Sequence, residues 1–266
     1  RNRRSLSTGI RSARLPTLLT ALRLPTIRRQ WETFAAQADA EGWPAARLLA
    51  ALAELELAER SQRRIERHME QSRLPAGKSF DGFDFGAVPM IRRAHLEALA
   101  SGDAWLANGE NVLMFGPPGA GKTHLAAGLG RKLIEQGYRV LFTRTTDLVQ
   151  RLQTARRELS LPGAIEKLDK FDLLILDDLS YVEKDQAETS VLFELISTRY
   201  ERRSLLVTAN QPFGEWDRIF PDPAMTVAAI DRLVHHATIF EMNVESYRRR
   251  SAVTRGKAAD EEIDDS

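Results

Sequence analysis

The chain has 266 residues, with 38 lysines and arginines against 37 aspartates and glutamates, which gives a net charge of +1. It has no cysteine, which excludes disulfides and thiolate metal sites and is compatible with a reducing cytosol. No apolar run approaches the roughly 20 residues of a membrane span, and the N-terminus lacks an apolar signal core. We therefore expect a cytoplasmic protein without membrane contact, long enough for one large domain and a smaller one.

The N-terminal part is basic and has a helical pattern. Residues 1–73 carry 14 arginines and no lysine against 8 acidic residues, a net charge of +6. Residues 1–14 show no periodicity and are expected to form a flexible basic arm. Within residues 15–77, helices are predicted at about 15–23, 26–40 and 44–71. We expect these residues to form a helical domain that binds DNA or a partner protein.

An arginine stripe runs along the third predicted helix. Arg60, Arg63, Arg64 and Arg67 fall at helical spacing and therefore share one side. They either contact phosphates or form solvated ion pairs with neighbouring glutamates, and the sequence favours neither interpretation. The candidate DNA contacts in this part of the chain are Arg28, Arg29, Arg63, Arg64 and Arg67.

The helical pattern breaks at Pro75–Gly77, which is the expected domain boundary. Residues 79–85 form an aromatic and acidic segment without helical period. The preferred interpretation is a linker held in place by Phe80, Phe83 and Phe85. The alternative is that the segment lies along the nucleotide site inferred next and helps to bury the base. A helix is expected after it, at about 89–101.

The following segment has the pattern of a P-loop. Val112 to Phe115 is a short apolar run that predicts a buried strand, and residues 124–136 predict a helix. Between them stands Gly116-Pro-Pro-Gly-Ala-Gly-Lys122-Thr123, which fits G-x-x-x-x-G-K-[ST]. The pattern therefore has the strand and helix that a phosphate-binding loop requires on either side.

The residue types of this loop suit a nucleotide. Its glycines let backbone N–H groups approach phosphate oxygens, and the N-terminus of the next helix adds positive potential. Lys122 is expected to reach the β- and γ-phosphates, and the Thr123 hydroxyl to hold Mg²⁺. The residues expected to bind the nucleotide are Gly116, Pro117, Pro118, Gly119, Ala120, Gly121, Lys122, Thr123 and His124.

Strands and helices alternate through the rest of the chain. Strands are predicted at about 139–143, 172–176, 204–208 and 237–241, with helices at about 145–158, 160–170, 185–202 and 225–236. Several strands are apolar on both faces, so this order predicts an α/β fold with a parallel sheet flanked by helices. Residues 78–250 are expected to form this domain, and residues 251–266 a disordered acidic tail.

Two carboxylates end the strand that precedes them. Asp177 and Asp178 follow four apolar residues, about 50 residues after the P-loop. Asp177 is expected to hold Mg²⁺ beside the P-loop through water, and Asp178 to orient or deprotonate the attacking water. Asn210 follows the next strand and would lie beside Asp178 if the two strands are neighbours. It then positions water or contacts the γ-phosphate; the alternative is a turn residue before Pro212.

Two arginines near the C-terminus are candidates for contact with the γ-phosphate. Arg232 is expected to reach across a subunit contact and stabilise transition-state charge; the alternative is a surface ion pair with Asp231. Arg248 is a candidate sensor within the same subunit, and the alternative is a basic surface patch. His235 and His236 have no spaced partner ligands in the sequence and are interpreted as polar surface or packing residues.

Four segments together resemble one family. They are residues 116–126, 173–181, 208–213 and 230–236, of which the last reads Ile-Asp-Arg-Leu-Val-His-His. From about Leu15 to Arg250 the chain resembles IstB, the ATP-binding helper protein of two-component insertion sequences, which is related to the DnaC helicase loaders. Many families share the P-loop. The 230–236 segment and the N-terminal helices are the features that point to IstB rather than to another P-loop family.

The resemblance implies an AAA+ ATPase that binds ATP and Mg²⁺, hydrolyses ATP to ADP and phosphate, and forms an ATP-dependent homo-oligomer on duplex DNA. It also implies that the protein chooses target DNA and stimulates a partner transposase, IstA. For the nucleotide site, the resemblance implies that Asn210 is the first sensor of the γ-phosphate and Arg248 the second. It implies that Arg232 is an arginine finger that acts on the site of a neighbouring subunit. It further implies that helices after the second strand face DNA, which adds as candidate contacts Arg144, Arg151, Arg156 and Arg157.

Two other functions stay open on the sequence. One is a replicative helicase loader, which shares the ATPase core but has a different partner protein. The other is a nucleotide-gated interaction protein with negligible hydrolysis, whose N-terminal helices bind protein rather than DNA. Phosphate release that Lys122→Ala abolishes would argue against the second of these.

The acid pair Asp177-Asp178 departs from the wider AAA+ pattern, which has Asp-Glu, although IstB and some loaders share it. Aspartate is one methylene shorter than glutamate, so we expect slower activation of water and a modest turnover that suits a switch. Asp178→Glu is expected to raise the single-turnover rate of ATP hydrolysis. An unchanged rate would contradict this explanation.

Overall fold

The computed structural model describes residues 14–179, 186–211, 215–216 and 222–243, without the side chains of residues 186–188. The expected basic arm except its last residue, the expected acidic tail at 251–266, and Arg248 lie outside the described residues. The chain divides into two compact units, residues 1–67 and residues 68–266.

The described part of the first unit is helical, as expected. Helix α1 covers residues 14–21, α2 runs from Pro25 to Glu41, and α3 runs from Ala45 to Ser72 and enters the second unit. Pro25 suits the first turn of α2 because the N–H that proline lacks has no partner there in any helix. Gly42, at a left-handed φ of +64°, ends the helix.

A buried glutamate fastens α2 to α3 within the first unit. Glu56 is 3% exposed, and its carboxylate accepts the backbone N–H of Thr26 at 2.8 Å and of Ile27 at 3.1 Å. These are donors that the first turn of a helix leaves unpaired, and negative charge is favourable there. Arg60 donates to the same carboxylate at 3.0 Å. Arg60, one member of the arginine stripe, therefore stabilises the contact between α2 and α3.

The division between the units falls inside α3 and not at Pro75–Gly77. The last turns of α3 belong to the second unit, where His68 is 8% exposed and Ser72 is fully buried. The His68 Nδ1 atom lies 3.1 Å from the carbonyl oxygen of Tyr138. Proline and glycine end the helix here, but burial of its final turns decides which unit they join.

A five-stranded sheet forms the centre of the second unit. Its strands are β1 (Asn111–Phe115), β2 (Val140–Arg144), β3 (Leu173–Asp177), β4 (Ser204–Ala209) and β5 (Ala237–Glu241). They lie in the order β2-β3-β4-β1-β5, and every neighbouring pair is parallel. Because β4 lies between β1 and β3, the segment that follows β4 emerges between the segments that follow β1 and β3.

Helices connect the strands and flank the sheet. They are α4 (Arg93–Leu99), α5 (Asp103–Ala107), α6 (Lys122–Glu135), α7 (Thr145–Arg157), α8 (Leu161–Leu168), α9 (Gln186–Arg199) and α10 (Pro223–Val234), with a 3-10 turn at Phe85–Ala87. The predicted parallel α/β fold is confirmed. The helix predicted at about 89–101 is present but shorter, because α4 starts only at Arg93. Gly102, at φ +77°, separates it from α5. Among the described residues, no helix combines the length and apolar character that crossing a membrane takes.

The side chain of Arg199 is buried and binds backbone groups of neighbouring elements. Arg199, the last residue of α9, has a fully buried side chain. It donates to the carbonyl oxygens of Leu168, Phe171 and Ser204, each at 3.0 Å, and Asp169 lies at 3.5 Å. Burial lowers the pKa of Arg199 to about 10, so the group stays charged at neutral pH. The side chain thereby ties the end of α8 and the approach to β3 to the start of β4.

We expect Arg199→Met to lower the free energy of unfolding by about 3 kcal/mol or more, because three buried carbonyl groups lose their donor. Urea unfolding measures the change. Arg202→Met is the matched control: Arg202 also approaches Asp169 at 3.5 Å, but its side chain is 64% exposed. Its removal is expected to cost no more than about 0.5 kcal/mol. Equal effects of the two substitutions would contradict the role given to Arg199.

Candidate nucleotide site

The P-loop leaves the carboxyl end of β1 and leads directly into α6. Gly116, Gly119 and Gly121 have φ values of +151°, +86° and +98°, which side-chain-bearing residues rarely adopt. Helix α6 begins at Lys122, so its N-terminal N–H groups belong to the loop. Lys122 is 5% exposed, and its Nζ donates to the carbonyl oxygens of Gly116 at 2.6 Å and Pro117 at 3.0 Å. The loop thus has the backbone form of a phosphate cradle.

A cavity of about 380 Å³ adjoins this loop, which is the size of an ordinary small-ligand site. The expected nucleotide-binding residues from Pro118 to His124 all line it. Gly116 and Pro117 do not line it and instead hold Lys122 through their carbonyl groups. The rest of the lining consists of Lys78, Gly82, Phe83, Asp84, Ala87, Val88, Asp178 and Asn210.

Hydrogen bonds join the P-loop helix to the acid pair. Thr123 donates to the Asp177 carboxylate at 3.0 Å, and Thr208 of β4 donates to it at 2.7 Å. The same Thr208 hydroxyl accepts the backbone N–H of Asp178 at 3.0 Å. Burial raises the pKa of Asp177, the hydrogen bond from Thr208 opposes this rise, and the negative charge of Asp178 adds to it. The P-loop and the ends of β3 and β4 are therefore linked through one carboxylate.

The pair Thr123 and Asp177 fits a magnesium ion. Mg²⁺ prefers oxygen ligands and is commonly held by one or two carboxylates and a hydroxyl beside substrate phosphates. Both groups offer oxygen, and they already lie within hydrogen-bonding distance of each other at the mouth of the P-loop. The donor set therefore matches the metal role expected for these two residues.

Thr208 was missed by the sequence reasoning. It lies in Leu-Leu-Val-Thr-Ala, a strand whose residues are all buried. A buried hydroxyl needs a hydrogen-bond partner, so a threonine one residue before the end of such a strand was the available signal. The partner, Asp177, could not be named before the strand order was known.

The order of the strands brings Asn210 and Asp178 to the same cavity. Strands β3 and β4 are neighbours, and both residues line the same cavity. Asp178 has a left-handed φ of +58°, an uncommon conformation for a residue other than glycine and one that occurs at functional sites. The strand order therefore places both residues at one cavity, beside the P-loop.

The aromatic segment at residues 79–85 packs against the P-loop and its helix. The Phe83 ring meets the His124 ring edge-on at 5.3 Å between centroids, and His124 Nε2 lies 2.8 Å from the Ser79 carbonyl oxygen. A Cβ atom at Gly121 would come within 2.6 Å of the Phe83 ring. The aromatic residues do hold this segment in place, and Phe83 and Asp84 also line the cavity. The alternative interpretation, that this segment lies along the nucleotide site, therefore agrees with the position of these two residues, although neither was among the candidate site residues.

Arg232 lies away from the cavity of its own chain. Its backbone carbonyl is 3.4 Å from the Asn111 side chain at the amino end of β1, whereas the P-loop begins at the carboxyl end. Its guanidinium donates to Ala228 at 2.8 Å and lies 5.3 Å from the centre of the Phe193 ring. It forms no ion pair with Asp231 or any other residue in the described part of the chain.

The candidate DNA contacts of the first unit differ in their partners. Arg63, Arg64 and Arg67 line, together with Arg60, an open groove of about 520 Å³. Arg63 donates to Thr26 at 2.6 Å. Arg28 donates to Thr20 at 3.3 Å, and Arg29 pairs with Glu59 at 3.4 Å. Arg64 and Arg67 are exposed and have no ion pair with a described residue.

The candidates of the second unit are also not equivalent. Arg144 and Arg151 line an open groove of about 620 Å³ with Arg73, which sequence reasoning had not included. Burial lowers the pKa of Arg151, and the positive charge of Arg73 adds to the effect. Arg156 pairs with Glu194 on α9 at 2.8 Å, and Arg157 is exposed. Arg156 is thus occupied within the fold, while the other three arginines face an open groove or solvent.

A parallel sheet with a P-loop after β1 and an acid pair after β3 defines a nucleotide-binding protein of the AAA+ class. Two solved structures have this fold. The crystal structure of DnaI matches with a TM-score of 0.55 at 17% identity, over 64% of this chain and 95% of that chain. AMPPCP-bound DnaA from Aquifex aeolicus matches with a TM-score of 0.53 at 17% identity, over 64% of this chain and 51% of that chain. At these identities the likeness concerns the fold alone.

Sequence comparison identifies the family. The family model of the IstB-like ATP binding protein matches residues 17–254. An insertion-sequence ATP-binding protein of Sinorhizobium fredii is 71% identical over 244 residues, which cover 92% of this chain and 82% of that protein. The chain belongs to the IstB family of insertion-sequence ATP-binding proteins, and the resemblance drawn from its motifs is confirmed.

The position of Thr208 leads to a prediction about catalysis. Thr208→Val keeps the shape of the side chain but removes the hydroxyl that contacts Asp177 and Asp178. We expect a roughly 10- to 100-fold lower rate of Mg²⁺-dependent ATP hydrolysis, as for the loss of a group that orients a metal ligand. ATP affinity, measured by fluorescent-nucleotide titration, should change little because the P-loop is untouched. Thr208→Ser should keep most of the rate, and a serine variant as slow as the valine variant would argue against a role for the hydroxyl.

Proposed function

We propose that this protein is an ATP-hydrolysing switch that assembles on duplex DNA and regulates transposition together with an IstA-like transposase. The observation that carries the proposal is the hydrogen-bonded series Thr123, Asp177, Thr208 and Asp178 beside the P-loop. A protein that only held a nucleotide would have little use for a second carboxylate, held in a left-handed backbone conformation, in the cavity beside the P-loop.

In the proposed reaction Lys122 exchanges its carbonyl partners for the β- and γ-phosphates. Thr123 and Asp177 hold Mg²⁺, which neutralises charge on the phosphates when it is bound. Asp178 accepts a hydrogen bond or a proton from the attacking water, and Asn210 on the same cavity positions that water. Phe83 and Asp84 also line the cavity and are assigned to the base.

Arg232 is assigned to the site of a neighbouring subunit. Its backbone is anchored at the amino end of β1, a strand roughly 15 Å long, while its own P-loop starts at the other end. An arginine that does not line its own nucleotide cavity can serve as a finger only for another copy of the chain. ATP then closes the contact between subunits, and hydrolysis releases it. Arg248, outside the described residues, is assigned as the second sensor.

The DNA-binding part of the proposal rests first on arginines whose side chains have no partner among the described residues. These are Arg64 and Arg67 in the first unit and Arg144 and Arg157 in the second. Arg28, Arg29, Arg63 and Arg151 have contacts within the fold, such as the 2.8 Å hydrogen bond from Arg151 to Thr143, and are included because they are exposed. Arg156 is the least suited because Glu194 already neutralises it. Binding through such groups should weaken steeply with salt.

A gel shift with duplex DNA in ATP, ADP or no nucleotide tests the coupling. We expect tight binding only with ATP, since only ATP closes the interface through Arg232. Arg232→Ala should lose this preference and reduce hydrolysis by about 10³-fold or more, the usual effect of removing an arginine finger. Arg202→Ala, which removes an exposed arginine of the same unit, is the control. Equal shifts in all three nucleotide states would refute the coupling.

A second measurement addresses the partner protein. Relatives named as insertion-sequence proteins support a transposase, and the fold shared with DnaI and DnaA also suits a helicase loader. The protein is incubated with ATP and either the transposase of the same insertion sequence or the host replicative helicase, and complexes are separated by gel filtration. A complex with the transposase supports the proposal, and a complex with the helicase alone supports the loader.

A further inference from the structure

Two turns at the amino edge of the sheet bring three metal-ligating side chains together. Glu201 lies between α9 and β4, and His235 and His236 lie between α10 and β5. One potential ligand atom from each lies within 4.8 Å of the others. His235 Nδ1 is 3.6 Å from the Glu201 carboxylate, and the two imidazole rings are 3.9 Å apart between centroids. This cluster could not be predicted from the sequence, because its members come from separate turns.

The distances suit a tetrahedral ion. With bonds of about 2.0–2.1 Å, two ligand atoms of a tetrahedral zinc site are roughly 3.4 Å apart. The His235–Glu201 pair is already close to that separation. All three side chains are exposed, so small rotations bring the third ligand atom in without disturbing the core.

The backbone under the cluster is held in place. Glu201 and His236 have left-handed φ values of +55° and +58°, which non-glycine residues adopt only when the surroundings impose them. Gly109 packs so closely beneath Glu201 that a Cβ atom there would lie 2.8 Å from the Glu201 carbonyl carbon. The His236 carbonyl oxygen accepts the N–H of Asn111 at 3.4 Å. Both turns therefore present their ligands from fixed positions.

A buried asparagine joins the two turns. The Asn111 side chain donates to the carbonyl oxygen of Leu233 at 3.1 Å and accepts the N–H of Leu205 at 2.9 Å. These contacts fix the end of α10 relative to the start of β4. The Tyr200 hydroxyl lies 2.7 Å from His235 Nδ1, the nitrogen nearest to Glu201, and gives up this hydrogen bond when the nitrogen binds an ion. A fixed backbone beneath the ligands is what a precise metal site requires.

We propose that Glu201, His235 and His236 form a zinc site, with water as the fourth ligand. Two imidazoles and one carboxylate are a zinc ligand set, whereas Mg²⁺ prefers oxygen ligands alone. The bound ion joins the end of α9 to the end of α10. The site is separate from the nucleotide cavity, so the proposal does not depend on ATP hydrolysis.

The test uses the full chain without a histidine tag, freed of metal with a chelator and titrated with Zn²⁺ by calorimetry in the presence of excess Mg²⁺. We expect one Zn²⁺ per chain, a higher Tm with Zn²⁺, and a visible absorption band of tetrahedral coordination when Co²⁺ replaces it. Glu201→Gln and His236→Asn should each weaken binding by at least about tenfold. Asparagine is chosen because it tolerates the left-handed conformation of position 236.

Two controls separate this site from other sources of metal binding. His95→Asn removes an exposed histidine outside the cluster and should bind Zn²⁺ like the wild type. Asp177→Asn removes the proposed magnesium ligand and should also leave Zn²⁺ binding unchanged. No Zn²⁺ uptake by the wild type, or the same affinity in the wild type, Glu201→Gln and His236→Asn, would overturn the proposal. ATP binding by the same variants, measured in parallel, reports on the nucleotide site independently.

Discussion

The nucleotide site depends on the position of β4 between β1 and β3. In a parallel sheet the carboxyl ends of all strands meet at one edge, so the P-loop, Asn210 and the acid pair emerge side by side. Thr208 then satisfies its buried hydroxyl with Asp177 and Asp178, which is possible only in the register that pairs Leu176 with Val207. A shift of one residue would leave the buried Thr208 hydroxyl without its partner and the Asp177 carboxylate with one hydrogen bond fewer, and this cost favours the observed register.

The opposite edge of the sheet is also held by buried polar side chains that bind backbone groups. Arg199 donates hydrogen bonds to three carbonyl groups, which lie at the end of α8, just before β3 and at the start of β4. Asn111 joins β1 to β4 and to the end of α10. Such side chains are costly to bury unless their polar atoms find partners. The terminal nitrogens of Arg199 have partners, whereas its Nε has none among the described residues. Together the contacts of Arg199 and Asn111 fix the end of α10 and the turns that carry Glu201 and the two histidines. The end of α10 therefore has little freedom to move independently of the sheet.

Some arginines are paired with glutamates within the fold and others are exposed without an ion pair, a difference that the composition does not show. Arg60 and Arg156 pair with glutamates inside their units, whereas Arg64 and Arg67 have no such partner among the described residues. A protein of the IstB family with this distribution can keep a nearly neutral total and still present basic grooves. The proposed switch needs both properties: strong contacts with DNA phosphates when copies assemble, and weak ones when they separate.

The sequence by itself determined the P-loop, the acid pair at the end of β3, the alternation of strands and helices, and the family. These features depend on local rules: glycine at left-handed positions, an apolar run for a buried strand, helical spacing for one face. Only the tertiary structure decided which of these features, and which other side chains, contact one another. Strand order made Thr208 a partner of Asp177, packing placed Phe83 on Gly121, and two distant turns brought Glu201 to His235 and His236. Contacts of this kind depend on which elements become neighbours, and a short stretch of sequence contains no record of its neighbours in space.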